Sequence, residues 1–132
     1  MEREELLKLI ESKEVIGVDL SGQKLAKIDF TGCRIERTSF KGCELVHCRF
    51  RNAKISWSDF RYAEIQHGTF EGAEIEFSDF YRAFIDGVVI FSGSSFSNCS
   101  LNKTYLGECA IIRKENLKDN RILQQNKEDY RK

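Results

Sequence analysis

Residues 53–80 read AKISWSDFRYAEIQHGTFEGAEIEFSDF. A large apolar residue stands at every fifth position: Ile55, Phe60, Ile65, Phe70, Ile75 and Phe80. The beat runs back through Phe50, Leu45, Phe40, Ile35, Phe30 and Leu25 to Leu20, and forward to Ile85. A helix repeats near 3.6 residues and a flat strand at 2, so neither yields a strict five. A fixed short period marks a repeat architecture, in which each unit buries its apolar side only against its neighbours.

Two residues before each centre from Ile35 onward comes a small residue: Cys33, Thr38, Cys43, Cys48, Ala53, Ser58, Ala63, Gly68, Ala73, Ser78 and Ala83. The positions between are mostly charged or polar. Each pentad thus has one large and one small inward position, and three outward ones. This pattern resembles the pentapeptide-repeat family, whose unit is a small residue, a polar one, Leu or Phe, and two variable residues. Residues 63–67 (AEIQH), 73–77 (AEIEF) and 78–82 (SDFYR) match it well. The resemblance spans residues 18–113 and implies an all-β solenoid, a right-handed quadrilateral β-helix with one pentad per side and four per coil. About nineteen pentads imply about five coils. At the ~4.8 Å spacing of paired strands the stack is roughly 24 Å tall.

A square coil places residues twenty apart on one face. Leu20, Phe40, Phe60 and Phe80 form one column, opposed by Phe30, Phe50 and Phe70. Leu25, Leu45, Ile65 and Ile85 form a third, and Ile35, Ile55 and Ile75 the fourth. Gly22, Gly32, Gly42 and Gly72 share one slot and read as corner turns. The beat slips by one residue within Gly87–Ser95, where either Ile90 or Phe91 is the next centre. Phe91 is favoured, because it continues a phenylalanine column. Phe96, Leu101, Leu106 and Ile111 follow, and the extra residue reads as a bulge.

The chain has 132 residues, which suits one domain, and its formal net charge is 0. Neither a basic surface for phosphates nor an acidic one mimicking nucleic acid is indicated. Residues 1–14 are expected to form a capping helix, with Leu6, Leu9 and Ile10 on one side and Leu7 beside them, over Val15, Val18 and Leu20. Residues 15–113 make the solenoid, and 114–132 a C-terminal tail or helix containing Leu117, Ile122 and Leu123. The charged N-terminus does not read as a signal peptide. The five cysteines, Cys33, Cys43, Cys48, Cys99 and Cys109, all fall on small inward positions and lack Cys-x-x-Cys spacing. They read as buried reduced thiols, which implies a cytoplasmic compartment.

Outward positions also stack. Arg37, Trp57, Phe77 and, after the slip, Asn98 share a column, with Tyr62 and Tyr81 on the next face and Phe84 beyond. Clustered outward aromatics are the best candidate for a partner-binding surface. They equally suit rings bracing the wall. Arg37 over Trp57 has the spacing for a cation–π contact. His47 and His67, with Glu44 and Glu64 near, read as solvated residues rather than metal ligands, and Asp59 and Asp79 lie on a convex wall without a cleft. No catalytic residue, metal or cofactor is indicated. The expected function is a non-enzymatic protein–protein interaction module or scaffold, without direct nucleic-acid or membrane binding. It is expected as a monomer or as a homodimer through its C-terminal end. The alternative implied by the resemblance is a DNA gyrase-binding regulator similar to the quinolone-resistance members. Those members carry a strongly acidic surface, which this chain lacks.

Overall fold

One backbone slot sets the shape. Two residues after each centre from Val15 to Leu101 the chain takes a positive φ, at glycines such as Gly32 (71°) and Gly42 (67°) and equally at Asn52 (57°), Tyr62 (61°) and Arg82 (55°). On two walls the amide after that residue closes a turn, as where Cys33 N–H donates to the Phe30 carbonyl (3.0 Å) and Ala63 N–H to Phe60 (3.1 Å). Positive φ at the third turn residue is what a type II turn requires. Successive corners bring the chain back above itself after twenty residues, so that Ile35 lies over Val15 and Ile55 over Ile35.

The computed structural model describes residues 1–118, a β-solenoid of about five turns with one short helix, α1 (Arg3–Glu11). The strands are β1 (Glu14–Ile16), β2 (Lys24–Ala26), β3 (Arg34–Glu36), β4 (Glu44–Val46), β5 (Lys54–Ser56), β6 (Glu64–Thr69), β7 (Glu74–Glu76), β8 (Phe84–Ile90), β9 (Ser95–Ser97), β10 (Tyr105–Leu106) and β11 (Leu117–Lys118). Odd-numbered strands pair in parallel as one wall and even-numbered strands as another. The two remaining walls are joined by single bridges, such as Ser39 with Asp59 and Arg49 with Thr69. The predicted columns are all present. Phe40, Phe60 and Phe80 stack at 4.6 Å between successive ring centroids. Phe30, Phe50 and Phe70 stack at 4.7 Å, and the two columns meet edge to face.

The slip resolves to a bulge. Asp86 pairs with Gln66 but Val89 pairs with Gly68, so Gly87 and Val88 together face His67. Phe91 is buried on Phe70 and Ile90 is exposed, as the column argument expected. The next coil copies the extra residue: Leu106 lies on Ile85 and Ala110 on Val89, both offset by 21. Two expectations fail for this reason. Ile112 rather than Ile111 is the inward centre, and Cys109 points outward while Ala110 takes the small inward slot.

The first coil is closed by α1, with Leu6 and Ile10 buried, Leu9 packed beside them and Leu7 exposed. The cap supplies more than apolar cover. Within the stack, Lys27 N–H donates up to the Val46 carbonyl and Gly32 N–H to Arg51. The equivalent carbonyls of the first coil, on Ala26 and Thr31, accept instead from Arg3 Nη1 (3.2 Å) and Lys13 Nζ (2.9 Å). At the other end the ladder runs on to Lys118, with Leu117 seated on Phe96. A buried Asn116 amide donates to the Phe91 and Ser94 carbonyls and locks the last of the described turns. The expected helix over Ile122 and Leu123 lies outside the described residues.

Candidate interaction surface

The corner leading out of each odd-numbered strand carries Arg37, Trp57, Phe77 and Asn98 in one column, with φ of 45°, 51°, 50° and 52°. Left-handed backbone costs an L-residue with a β-carbon about 1–2 kcal/mol. Gly17 occupies the same slot in the first coil without that cost. Large aromatics at such a corner are thus held against their own backbone preference. The geometry swings the side chain outward, and Trp57 and Phe77 lie flat on one another at 4.6 Å with planes 6° apart. The stack covers them only in part: Trp57 stays 62% exposed and Phe77 41%. A shallow groove continues from this pair over Ser78, Asp79, Asn98, Cys99 and Ser100.

The other candidate residues do not converge on this corner. Tyr62 and Tyr81 meet edge to face at 5.8 Å on the next wall, where Arg82 donates to the Tyr81 hydroxyl (3.0 Å) and lies over its ring. That hydrogen bond and the guanidinium charge lower the Tyr81 hydroxyl below its ordinary range. Phe84 lies on β8 and stacks with Tyr105 at 4.7 Å. The surface is therefore three separate ring pairs, not one cluster. Arg37 does not lie over Trp57; its guanidinium sits 3.9 Å from the Glu36 carboxylate, and the expected cation–π contact is absent. Tyr105 stands on Phe84 at the same offset of 21 that sets Asn98 over Phe77, and was not among the expected surface residues. Val88 and Ile90, both exposed, are products of the same slip.

The remaining polar candidates are explained locally. Partial burial works to raise the Asp59 carboxyl, but the two-pronged Arg61 contact and the Arg61 N–H outweigh it and hold it low. Asp79 accepts the Tyr81 N–H at 2.8 Å. Arg51 meets Glu71 at 3.2 Å. Asp29 turns to Thr31, whose hydroxyl lowers its carboxyl, with Arg49 a smaller influence. His47 and His67 stack at 5.3 Å, and His67 Nδ1 accepts the Val88 N–H of the bulge (3.3 Å). Among the described residues no group of three His, Cys, Asp or Glu side chains is placed to hold a metal, and no helix is long and apolar enough to cross a membrane.

Cys33, Cys43, Cys48 and Cys99 are buried, and burial raises each thiol, Cys43 and Cys99 to about 11. Cys109 alone is exposed. A disulfide reagent added to native protein is expected to react fast with one thiol of the five. The rest should react in denaturant, and Cys109→Ser should abolish the fast phase. Fast reaction of two or more native thiols would contradict this burial.

A family model described as "Pentapeptide repeat region" matches residues 15–88. Comparison with curated protein sequences gave no match. Among solved structures, a pentapeptide repeat protein (Rfr23) of the cyanobacterium Cyanothece 51142 is 14% identical, aligning 89% of this chain with 96% of that one at a TM-score of 0.45. A pentapeptide repeat protein of the Arabidopsis thaliana thylakoid lumen is 23% identical, with 73% and 70% covered and a TM-score of 0.31. QnrB1, a plasmid-mediated fluoroquinolone resistance protein, is 14% identical, with 84% and 90% covered and a TM-score of 0.35.

Proposed function

The chain belongs to the pentapeptide-repeat family, and from that premise we propose that it is a non-enzymatic protein–protein interaction module presenting the Trp57–Phe77 corner to its partner. One observation carries the reading. Trp57 is the most exposed large apolar side chain among the described residues, and it is held at a left-handed corner where glycine costs nothing. An exposed aromatic pair on a rigid wall resembles the anchors that dominate protein interfaces. Stacking between coils gives such a pair about 0.5–1.5 kcal/mol and does not require that the rings stay open to solvent.

The test is site-specific photo-crosslinking in cells of the source organism, with the photoreactive residue at position 57 or, as control, at Lys24 on the even-strand wall. One reproducible adduct from position 57, absent from the control and lost on Phe77→Ala, is expected. Phe77→Ala itself is expected to lower stability by no more than about 1–1.5 kcal/mol. Equal adducts from both walls, or an adduct indifferent to Phe77→Ala, would make the pair a brace of the wall. A DNA supercoiling assay with and without a fluoroquinolone separates this reading from gyrase regulation; with a net charge of 0 the chain carries no acidic excess.

A further inference from the structure

The aromatic column of the corner ends abruptly. Phe77 has Trp57 against one ring face, while the position one coil further on is held by Asn98, which has no ring to continue the stack, and Phe77 stays 41% exposed. The groove over Asn98, Cys99 and Ser100 is the resulting step.

Charge decides which planar group fits. Phe77 is flanked by Glu76 at the end of β7 and by Asp79 on the adjoining wall. Neither carboxylate forms an ion pair among the described residues. Arg61, whose charge reaches Asp79, is committed to Asp59. Asp79 lines the groove together with Phe77, and Glu76 directly precedes Phe77 in the chain. Asp79 spends one oxygen on the Tyr81 N–H and keeps the other. A planar cation with several N–H donors satisfies the ring face and both carboxylates together. Guanidinium does this, whereas a compact ammonium cannot lie flat on a ring.

Building on the interaction-module reading, we infer that the partner segment received at this corner carries an arginine, whose guanidinium stacks on Phe77 beside Asn98 and pairs with Glu76 and Asp79. The probes are acetyl-Gly-Ser-X-Ser-Gly amides with X as Arg, Lys, citrulline or Tyr, titrated into the full chain and followed by backbone amide NMR. The Arg peptide is expected to shift the amides of Phe77, Asn98 and Ser100. It should bind roughly tenfold more tightly than the Lys peptide, with citrulline weaker still. Phe77→Ala, and separately Glu76→Gln or Asp79→Asn, should each weaken it about fivefold or more. Glu76→Gln alters an exposed side chain, and Asn at 79 keeps the acceptor for Tyr81, so neither threatens the fold. Equal binding of Lys and Arg peptides, preference for the Tyr peptide, or shifts that survive Phe77→Ala would each overturn the assignment. Failure of the peptides while crosslinking at position 57 persists removes the arginine and leaves the interaction surface. Loss of the position-57 adduct removes the surface itself.

Discussion

Phe60→Ala is expected to lower stability by about 3–5 kcal/mol, the ordinary cost of truncating a buried phenylalanine. The site has little room to relax. Phe60 lies 4.6 Å from both Phe40 and Phe80 in its own column and meets Phe50 edge to face, and each neighbour is itself fully buried. Collapse of the void would have to tilt whole coils, because the backbone on either side is tied by Phe60 N–H to the Asp79 carbonyl and Phe40 N–H to Asp59. Domains of this size commonly hold only about 5–15 kcal/mol in total, so the variant should unfold near ambient temperature. Urea denaturation followed by circular dichroism measures it. Phe60→Leu, which keeps most of the volume, is expected to cost about 1–1.5 kcal/mol. A loss below about 1 kcal/mol for the alanine variant would mean that the columns are not closely packed.

Removal of residues 1–12 is expected to cost about 3–6 kcal/mol, taking about 1.5–3 for each of the two buried side chains, Leu6 and Ile10. The variant should also associate. Without Arg3 the carbonyl of Ala26 loses its donor, and the first coil presents a parallel strand edge to any other chain. Light scattering beside thermal unfolding tests both parts. Arg3→Ala separates them, since it leaves the apolar cover and removes only the donor; a drop of about 1 kcal/mol is expected. A truncated protein that unfolds at the unchanged temperature and stays monomeric would show that α1 is not a cap.

Most of this architecture was legible because a five-residue period has few physical solutions. Fourteen consecutive centres from Leu20 to Ile85 all proved inward. Legibility failed where counting failed. The first extra residue shows in the sequence as a missed beat after Ile85. The second does not, because Ile111 and Ile112 are adjacent and equally apolar; only the pairing of Ala110 with Val89 distinguishes them. Cys109 was misplaced for that reason alone; Tyr105 stands on Phe84 before the second extra residue and was overlooked although the first slip already sets that pairing. Asn116 was invisible for another reason: a single asparagine does not announce that its amide will bond two carbonyls of the preceding coil. At the candidate surface, the Trp57–Phe77 pair followed from spacing. The division into three ring pairs did not, because the sequence gives columns but not the width of the walls between them.

The doubled bulge behaves as a stacking fault does in a layered crystal. A layer laid on a faulted one repeats the fault, because its hydrogen bonds are templated by the layer beneath. Once Gly87 and Val88 lengthen one side, the coil above must lengthen too, and it does. The coils are consequently not interchangeable modules. A duplicated twenty-residue unit could be accommodated below the fault, but any coil added beyond it must be a twenty-one. The order of the coils along the chain is thereby written into their lengths, and the last two can neither be moved down the stack nor copied into its lower half without breaking the ladder.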